Sequence, residues 1–487
     1  MRTHKFGHIL WIALLMLSLV LSACAQGAQA PTETAGVPAV VTPQETVSVG
    51  PSATQQQTAA VTPAVSPAVT PAETQPGTVS VTPAGTSPAG GAAGTGQLEI
   101  FSWWTAGGEA EGLNALYQLY NQKYPNVEII NATVAGGAGS NAKAVLATRM
   151  QSGDPPDSFQ VHAGHELIDS WVQAGAMEPV TFIFDQNNWR DVYPSDVIDI
   201  ISANGEIWSV PVDIHRANVL WYNKKIFTDN NLQPPTTFDE FFTVADQLKA
   251  AGITPLALGD NGIWASTQVL ETILLGTLGP DGYRGLWTGD TPWDGPEVKQ
   301  SLETFSKMLD YVNDDHSALS WDQASQLLVD GNAAMNIMGD WAEGYFKSVG
   351  WEPDKDFGWE PTMGTSGNYD MLSDSFGLPK GAPDRDNAIA WLELLGSKEG
   401  QDAFNPLKGS IPPRTDADRS LYDAYLQSAI DDFAKDQIVP SLAHGAAASE
   451  GWVTAVNDVM TLFVTNKDVA TAQQGLVQAC QANGPCQ

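Results

Sequence analysis

The amino-acid sequence predicts an α/β fold arranged in two lobes. From residue 98 onward, short apolar segments typical of strands alternate with longer amphipathic segments typical of helices, an order that indicates βαβ units and a mainly parallel sheet. This region holds all but one of the 16 tryptophans and all 11 tyrosines. It is longer than the roughly 250–300 residues at which a single core stops growing, so we expect two lobes.

The first predicted strand, helix and second strand follow one another closely. Residues 98–103 alternate in the manner of a strand. The next segment places apolar residues such as Leu113 and Leu116 on one helical face and ends before Pro125, which cannot continue a helix. Residues 127–134 then form the second predicted strand.

A glycine-rich loop at residues 136–139 leads into a predicted helix near residues 141–150. The turn Asp154-Pro155-Pro156-Asp157 separates this helix from a short apolar strand at residues 158–161. The order strand, helix, strand, helix, strand completes the pattern of a parallel sheet.

The same alternation continues later in the chain. Thr237 and Glu240 have the spacing of a capping box, which opens a helix that ends near Gly252. The other predicted elements are strands at residues 255–258 and 334–338, a helix at 386–395, and helical structure from residue 421 onward.

Residues 1–23 have the layout of a secretory signal peptide. Arg2 and Lys5 precede an apolar run over residues 9–21, and small residues follow it just before Cys24. This site looks like a bacterial lipobox, which implies that Cys24 is lipidated. The alternative is a transmembrane anchor, but the run is shorter than the roughly 20 residues that a spanning helix needs.

Residues 24–97 predict a disordered linker. From Ala25 to Gly96 the chain has no lysine, arginine, aromatic residue, leucine or isoleucine, and it is rich in proline, threonine and alanine. Such a segment cannot bury enough apolar area to offset the entropy lost on ordering. We therefore expect a lipid-anchored tether that lets the folded region extend away from the membrane.

Deletion of residues 25–96 is expected to leave ligand affinity in solution unchanged, because a disordered tether contributes no contact to a folded site. Isothermal titration of the shortened and full-length chains checks this. A weaker affinity of the shortened chain would show that the segment is more than a tether.

Charge and cysteine content exclude several classes of protein. The formal net charge of −33 argues against binding to nucleic acid or to anionic lipid surfaces, since both require basic patches. Beyond Cys24, only Cys480 and Cys486 remain, and they have the spacing of a short disulfide loop rather than a catalytic context.

Motifs for metal, cofactor and nucleophile chemistry are incomplete. The string from His162 to Glu166 places histidines at 162 and 165 but is not His-Glu-x-x-His, so we predict no metal site there. The loop at 136–139 lacks the lysine of a P-loop and the later glycine of a dinucleotide fingerprint. No Gly-x-Ser-x-Gly elbow occurs. No cofactor is expected.

Several strings resemble those of the sugar-binding lipoproteins of bacterial ABC importers, extracellular solute-binding protein family 1. These are Phe101-Ser102-Trp103-Trp104, residues 152–157, Val219-Leu220-Trp221-Tyr222-Asn223 and residues 396–401. Others are similar to the glucose-type branch of that family: Gln160-Val161-His162-Ala163-Gly164, Met338-Gly339-Asp340-Trp341, residues 372–380, Pro406-Leu407-Lys408-Gly409-Ser410 and His444-Gly445-Ala446. The likeness spans residues 98–487.

The resemblance implies a two-lobe periplasmic-binding-protein clamshell in which the chain crosses between the lobes at hinges. It places the first lobe at residues 98–211 and 371–418, and the second at 212–370 and 419–487. Ligand would lie in the cleft, in agreement with binding outside the carboxyl ends of strands in open α/β sheets.

A sugar pocket needs flat apolar surfaces and fixed polar groups. Trp103 and Trp104 end the first strand, where adjacent side chains point to opposite faces, so we expect one of them to stack on the sugar. The resemblance adds Trp321 as a second stacking residue, with Trp341 in reserve.

Polar candidates come from carboxylate, amide, imidazole and ammonium groups. Asp374, within the closest-matching string, is the first choice for accepting two sugar hydroxyls. The predicted sugar-binding residues are Trp103, Trp104, Glu109, Gly137, Gln160, His162, Trp321, Asp374, Lys408 and His444.

The resemblance implies the substrate-binding component of an ABC sugar importer that captures a monosaccharide, glucose or a related aldohexose, and performs no chemistry. Its partners would be the transmembrane subunits of a permease. We expect a monomer, held by its lipid at the outer face of the cytoplasmic membrane or in a periplasm. The alternatives are an exported glycoside hydrolase that uses Glu109 and Asp374, and a sugar sensor on the same fold.

Overall fold

A computed structural model describes residues 93–486 of the chain. The predicted signal peptide, Cys24 and the linker up to residue 92 lie outside the described residues. Within 93–486, every helix is too short or too polar to cross a membrane.

Fifteen strands form the sheets of the described region. They are β1 (Gly96–Phe101), β2 (Val127–Asn131), β3 (Ser158–His162), β4 (Met177–Glu178), β5 (Ser202–Ala203), β6 (Glu206–Ile207), β7 (Ser209–Pro211), β8 (His215–Arg216), β9 (Val219–Asn223), β10 (Thr254–Ala257), β11 (Ala333–Ile337), β12 (Phe357–Pro361), β13 (Asn368–Leu372), β14 (Asp374–Pro379) and β15 (Gln437–Pro440).

Fifteen α-helices pack around the sheets of this region. They are α1 (Gly107–Lys123), α2 (Ser140–Ser152), α3 (Thr181–Gln186), α4 (Ser195–Asp199), α5 (Lys224–Asp229), α6 (Phe238–Ala250), α7 (Trp264–Thr288), α8 (Pro296–Met308), α9 (Trp321–Val329), α10 (Trp341–Ser348), α11 (Arg385–Gly396), α12 (Lys398–Lys408), α13 (Ala424–Lys435), α14 (Glu450–Asn466) and α15 (Val469–Asn483). Short 3₁₀ and π segments connect some of them.

The first sheet has the strand order β2-β1-β3-β14-β4, and β7 also pairs with β14. Strand β1 runs parallel to both β2 and β3, which confirms the predicted βαβ units. Strand β14 enters antiparallel to β3, although about 200 residues separate them along the chain. The chain therefore leaves this sheet and returns to it.

The second sheet has the order β10-β11-β9-β12, and a three-stranded sheet has the order β15-β13-β8. Only Ser373 lies between β13 of the small sheet and β14 of the first sheet. The buried apolar side chains form two clusters, one containing Trp104 and Trp391 and the other containing Phe241 and Phe305. Two cores and repeated crossovers agree with the predicted two-lobe α/β fold, whereas the exact lobe boundaries stay a prediction.

Local sequence signals explain several element boundaries. The Thr237 hydroxyl accepts a hydrogen bond from the Glu240 backbone N–H, and the Glu240 carboxylate accepts one from the Thr237 backbone N–H, which confirms the capping box that begins α6. The prediction of helical structure from residue 421 onward is confirmed by α13, α14 and α15 but is wrong at Gln437–Pro440, which forms β15 beside β13. The pairing partner lies about 70 residues upstream, so helical propensity alone could not reveal it. Cys480 and Cys486 form a disulfide.

Candidate functional site

A cavity lies where the ends of β1 and β3 meet the start of β14. Eight of the ten predicted sugar-binding residues line it. The full lining is Trp103, Glu109, Gly137, Ala138, His162, Trp264, Trp321, Trp341, Leu372, Asp374, Lys408 and His444. Its position at the carboxyl ends of parallel strands is the one at which open α/β sheets bind ligands.

The two adjacent tryptophans point to opposite sides, as the strand alternation predicts. Trp103 lines the cavity, and its ring centre lies 5.0 Å from that of His162. Trp104 does not line the cavity, because its buried ring packs against Phe376 and Phe404 in the core behind it. Trp103 is therefore the stacking candidate, and Trp104 supports it from the core.

Glycines allow the loop before α2 to lie against the aromatic wall. A Cβ atom on Gly137 would come within 2.6 Å of the Trp264 ring, and one on Gly139 within 2.8 Å of the Trp103 ring. Gly139 also has a φ of +72°, a left-handed conformation that side chains disfavour. Larger residues here would displace the two tryptophans.

Gln160 lies behind the cavity and not in its wall, which differs from the expectation that its amide binds the sugar. The Ser102 hydroxyl and the Trp103 backbone N–H donate to its carbonyl oxygen at 2.7 and 3.1 Å. Its NH2 group donates to Asp374 Oδ1 at 2.8 Å. Because its amide is already engaged on both sides, Gln160 orients Trp103 and Asp374.

Asp374 presents its carboxylate to the cavity from the start of β14. Its backbone N–H donates to Asp213 at 2.7 Å, and its Oδ1 lies 3.7 Å from His162 Nε2. Burial, followed by the charge of Asp213, raises the pKa of Asp374 above its ordinary value. Nearby cations act against this rise.

His162 is held from outside the cavity. Its Nδ1 lies 2.7 Å from Glu166 Oε2, and the Lys143 ammonium lies 2.8 Å from the same oxygen. Burial opposes ionisation of Glu166, but Lys143 and His162 outweigh burial and lower its pKa to about 2. The resulting carboxylate fixes the orientation of the His162 ring.

Glu109 and Lys408 form a buried ion pair at the cavity edge, with Oε1 and Nζ 3.2 Å apart. Burial opposes the charge on Lys408, but Glu109 and other carboxylates outweigh it and raise the Lys408 pKa. Burial raises the Glu109 pKa even though Lys408 acts against it. The ammonium also lies 5.6 Å from the Trp104 ring and 5.9 Å from the Trp341 ring.

Four aromatic or ionisable residues at or beside the cavity were not among the ten predicted site residues and were not singled out as candidates. Trp264 belongs to the aromatic wall, Asp213 and His215 lie buried beside Asp374, and Asp340 is buried on the other side of the His215 ring. Asp213 and His215 alternate within an otherwise apolar stretch, which was a usable signal for a polar face. Trp264 is the first residue of α7, and no pattern in the sequence around it indicated that it would line the cavity. Trp341, the reserve candidate, also lines the cavity.

His215 forms the centre of a buried charge cluster. Its Nδ1 bonds Asp340, while its Nε2 lies 3.3 Å from Asp213 and 3.7 Å from Asp374. Burial and Lys408 oppose its protonation, but the carboxylates outweigh them and raise its pKa to about 9. Asp213, His215 and Asp374 are also close enough together to hold a metal ion, which would require His215 to lose its proton. We interpret the cluster as an ion network.

The His215 network predicts that stability falls at alkaline pH. Because the folded-state pKa of about 9 exceeds the ordinary 6.5, this contribution is complete below pH 6.5 and is lost as pH rises through 9. Between these limits the free energy of unfolding should decrease by roughly 3 kcal/mol relative to His215→Gln. Urea unfolding of both proteins at several pH values measures the difference. Parallel profiles would contradict the assignment.

The comparisons with known protein sequences agree on one family. A family model described as bacterial extracellular solute-binding protein matches residues 95–402. An uncharacterized ABC transporter extracellular-binding protein of Pyrococcus horikoshii is 42% identical, over 79% of this chain and 87% of its own. A probable sugar-binding periplasmic protein of Brucella melitensis is 33% identical, over 77% and 89%. The glucose-binding protein GlcS of Saccharolobus solfataricus is 28% identical, over 63% and 59%.

Solved structures share the fold at lower identity. The solute receptor AcbH, with a substrate preference for galactopyranose, superposes with a TM-score of 0.70 at 18% identity, over 80% of this chain and 99% of its own. A chitin oligosaccharide binding protein has a TM-score of 0.69 at 20% identity, over 79% and 98%. These likenesses show the two-lobe architecture of periplasmic sugar-binding proteins.

Proposed function

The chain belongs to the bacterial extracellular solute-binding proteins, as a sugar-binding component of ABC importers, and from this premise we propose that its ligand is a monosaccharide, glucose or a related aldohexose. The family's members are solute-binding proteins that act outside the cytoplasm, and the relatives found are not enzymes. The identity of the sugar rests on the cavity.

The composition of the cavity is the observation that carries this proposal. Four tryptophans, Trp103, Trp264, Trp321 and Trp341, line one cavity together with one aspartate, one glutamate, one lysine and two histidines. Flat apolar surfaces beside a few converging polar groups are what a sugar ring requires of its pocket.

The aromatic walls and polar groups have complementary tasks. Trp103 and Trp321 offer flat surfaces for the C–H faces of a pyranose, and their rings lose little conformational entropy on binding. Asp374, Glu109 and Lys408 provide charged hydrogen-bonding groups, which form stronger bonds to hydroxyls than neutral groups do. His162 and His444 complete the set.

The similarity to GlcS is compatible with glucose as the ligand, whereas the likeness to AcbH concerns the fold alone. We propose that the sugar, by binding the closed form more tightly than the open one, drives closure of the lobes, and that the closed form is presented to the permease. Lipidation at Cys24 and the tether over residues 24–97 would keep this capture beside the membrane.

A glycoside hydrolase is the less favoured function. Glu109 pairs with Lys408 at 3.2 Å and Asp374 accepts from Gln160 at 2.8 Å, and each of these partners favours the ionised acid over the protonated form that a general acid needs. A sugar sensor would use the same site and would differ only in its partner.

The test is a calorimetric titration with glucose, galactose, mannose, maltose and trehalose, followed by analysis of each recovered sugar for cleavage. One-to-one binding of a hexose with intact disaccharides supports the proposal and identifies the ligand. Tighter binding of a disaccharide would contradict the monosaccharide assignment. Cleavage would assign Glu109 and Asp374 to catalysis.

A further inference from the structure

A buried glutamate outside the cavity holds the turn that leads to His444. Glu271 lies on α7 and is fully buried. Its Oε2 accepts hydrogen bonds from the backbone N–H groups of Leu442 and Ala443 at 2.7 and 2.8 Å. The Ser441 hydroxyl lies 3.0 and 3.2 Å from the two carboxyl oxygens. One side chain therefore binds the three residues that precede His444.

The same hydroxyl reaches the ring of His444. Ser441 Oγ lies 2.9 Å from His444 Nδ1, so Nε2 is the nitrogen left to face a ligand. The ring lines the cavity and packs against the rings of Trp341 and Trp264, whose centres lie 5.1 and 5.6 Å from its own. Rotation of the ring would break these contacts.

Glu271 carries the negative charge of a buried acid pair. Its neighbour Asp370 lies on β13, and burial, followed by the charge of Glu271, raises the pKa of Asp370 well above its ordinary value. Burial also raises the pKa of Glu271, to about 7, although the donors from residues 441–443 act against it. The two backbone N–H groups that donate to Oε2 favour the carboxylate form of Glu271, and the charge of that carboxylate favours keeping the proton on Asp370.

The positions of the protons follow from this charge. A carboxylate only accepts hydrogen bonds, so the Ser441 hydroxyl gives its single proton to Glu271. Ser441 Oγ must then accept the Nδ1–H of His444. Burial, followed by neighbouring cations, lowers the pKa of His444 well below 6.5, so the neutral ring has one N–H. Its Nε2 is therefore an acceptor.

We propose that Glu271 is a positioning residue that, through Ser441, fixes the His444 tautomer with an acceptor nitrogen toward the ligand. The site then selects sugars that have a hydroxyl group positioned to donate a hydrogen bond to His444 Nε2. The inferred selectivity depends on the proposal that the ligand is a sugar. The inferred tautomer of His444 does not depend on it.

The tautomer is tested by nitrogen-15 NMR of the full-length chain labelled at histidine, without sugar, at pH 8, with His444→Gln to assign the signal. Wild type should show the Nδ1–H tautomer.

In Glu271→Gln, the side-chain NH2 group donates to Ser441 Oγ, and the Ser441 hydroxyl then donates to His444 Nδ1. The Nε2–H tautomer is therefore expected. Ser441→Ala removes the acceptor for Nδ1–H and keeps the backbone bonds to Glu271, so the Nδ1–H population should fall even if Glu271→Gln does not fold.

Glu178→Gln is the matched control, because Glu178 pairs with Arg385 at the surface, and it should leave the tautomer unchanged. A wild-type Nε2–H tautomer, or an unchanged tautomer in Ser441→Ala, overturns the proposal.

Selectivity is tested by titration with glucose and its monodeoxyfluoro analogues, since fluorine cannot donate a hydrogen bond. Wild type should bind one analogue at least about tenfold more weakly than glucose, and Ser441→Ala should reduce that ratio. Equal binding of all analogues overturns the selectivity. Failure of every sugar to bind, with the expected tautomers, overturns the proposed ligand and leaves the role of Glu271 supported.

Discussion

Replacement of Asp374 by alanine is expected to weaken sugar binding by about 2 kcal/mol or more, roughly 30-fold in Kd. The carboxylate is buried at the cavity wall, and its loss leaves the Gln160 amide and the sugar hydroxyls without an acceptor. Calorimetry with the sugar identified for the wild type measures the change.

Asp281→Ala provides the matched control, because Asp281 is a surface aspartate on α7 paired only with Arg284 among the described ion pairs. Its affinity should equal that of the wild type. Thermal unfolding of both variants checks that the fold is retained. Wild-type affinity in Asp374→Ala would remove Asp374 from the site.

Lys408→Met is expected to lower the free energy of unfolding by about 3–5 kcal/mol, because it leaves the buried Glu109 carboxylate without its cation. The methionine keeps most of the apolar stem, so the loss reflects charge more than packing. Denaturant unfolding measures this change, and sugar binding should weaken in parallel.

The double variant Lys408→Met with Glu109→Gln removes both charges and should recover much of the lost stability. Lys225→Met is the matched surface control, since Lys225 is exposed and paired with Asp229, and we expect a change within about 0.5 kcal/mol. A similar loss in the single and double variants would mean that Lys408 contributes by packing and not by its pairing with Glu109.

Local patterns were sufficient for much of the fold. The alternation in residues 98–103, the stop at Pro125 and the capping box at Thr237 act over a few residues, and the structure has β1, α1 and α6 at those places. By contrast, β15 was read as helix because its strand character depends on pairing with β13, which no local propensity encodes.

The sequence by itself determined the α/β class, the two-lobe architecture and a set of chemically suitable residues, of which eight lie around one cavity. Only the tertiary structure decided their tasks. Trp103 faces the cavity and Trp104 the core because Phe376 and Phe404 pack against the latter. Gln160 orients Asp374 because β14 pairs beside β3.

The buried cluster around His215 shows most clearly why the roles of these residues depend on the tertiary structure. His215 and Asp340 are 125 residues apart in the chain, and their bond forms only after the chain has crossed between sheets. The energy of a buried charge depends on every neighbour that replaces water around it. A sequence lists these groups, but only the folded arrangement determines which of them meet.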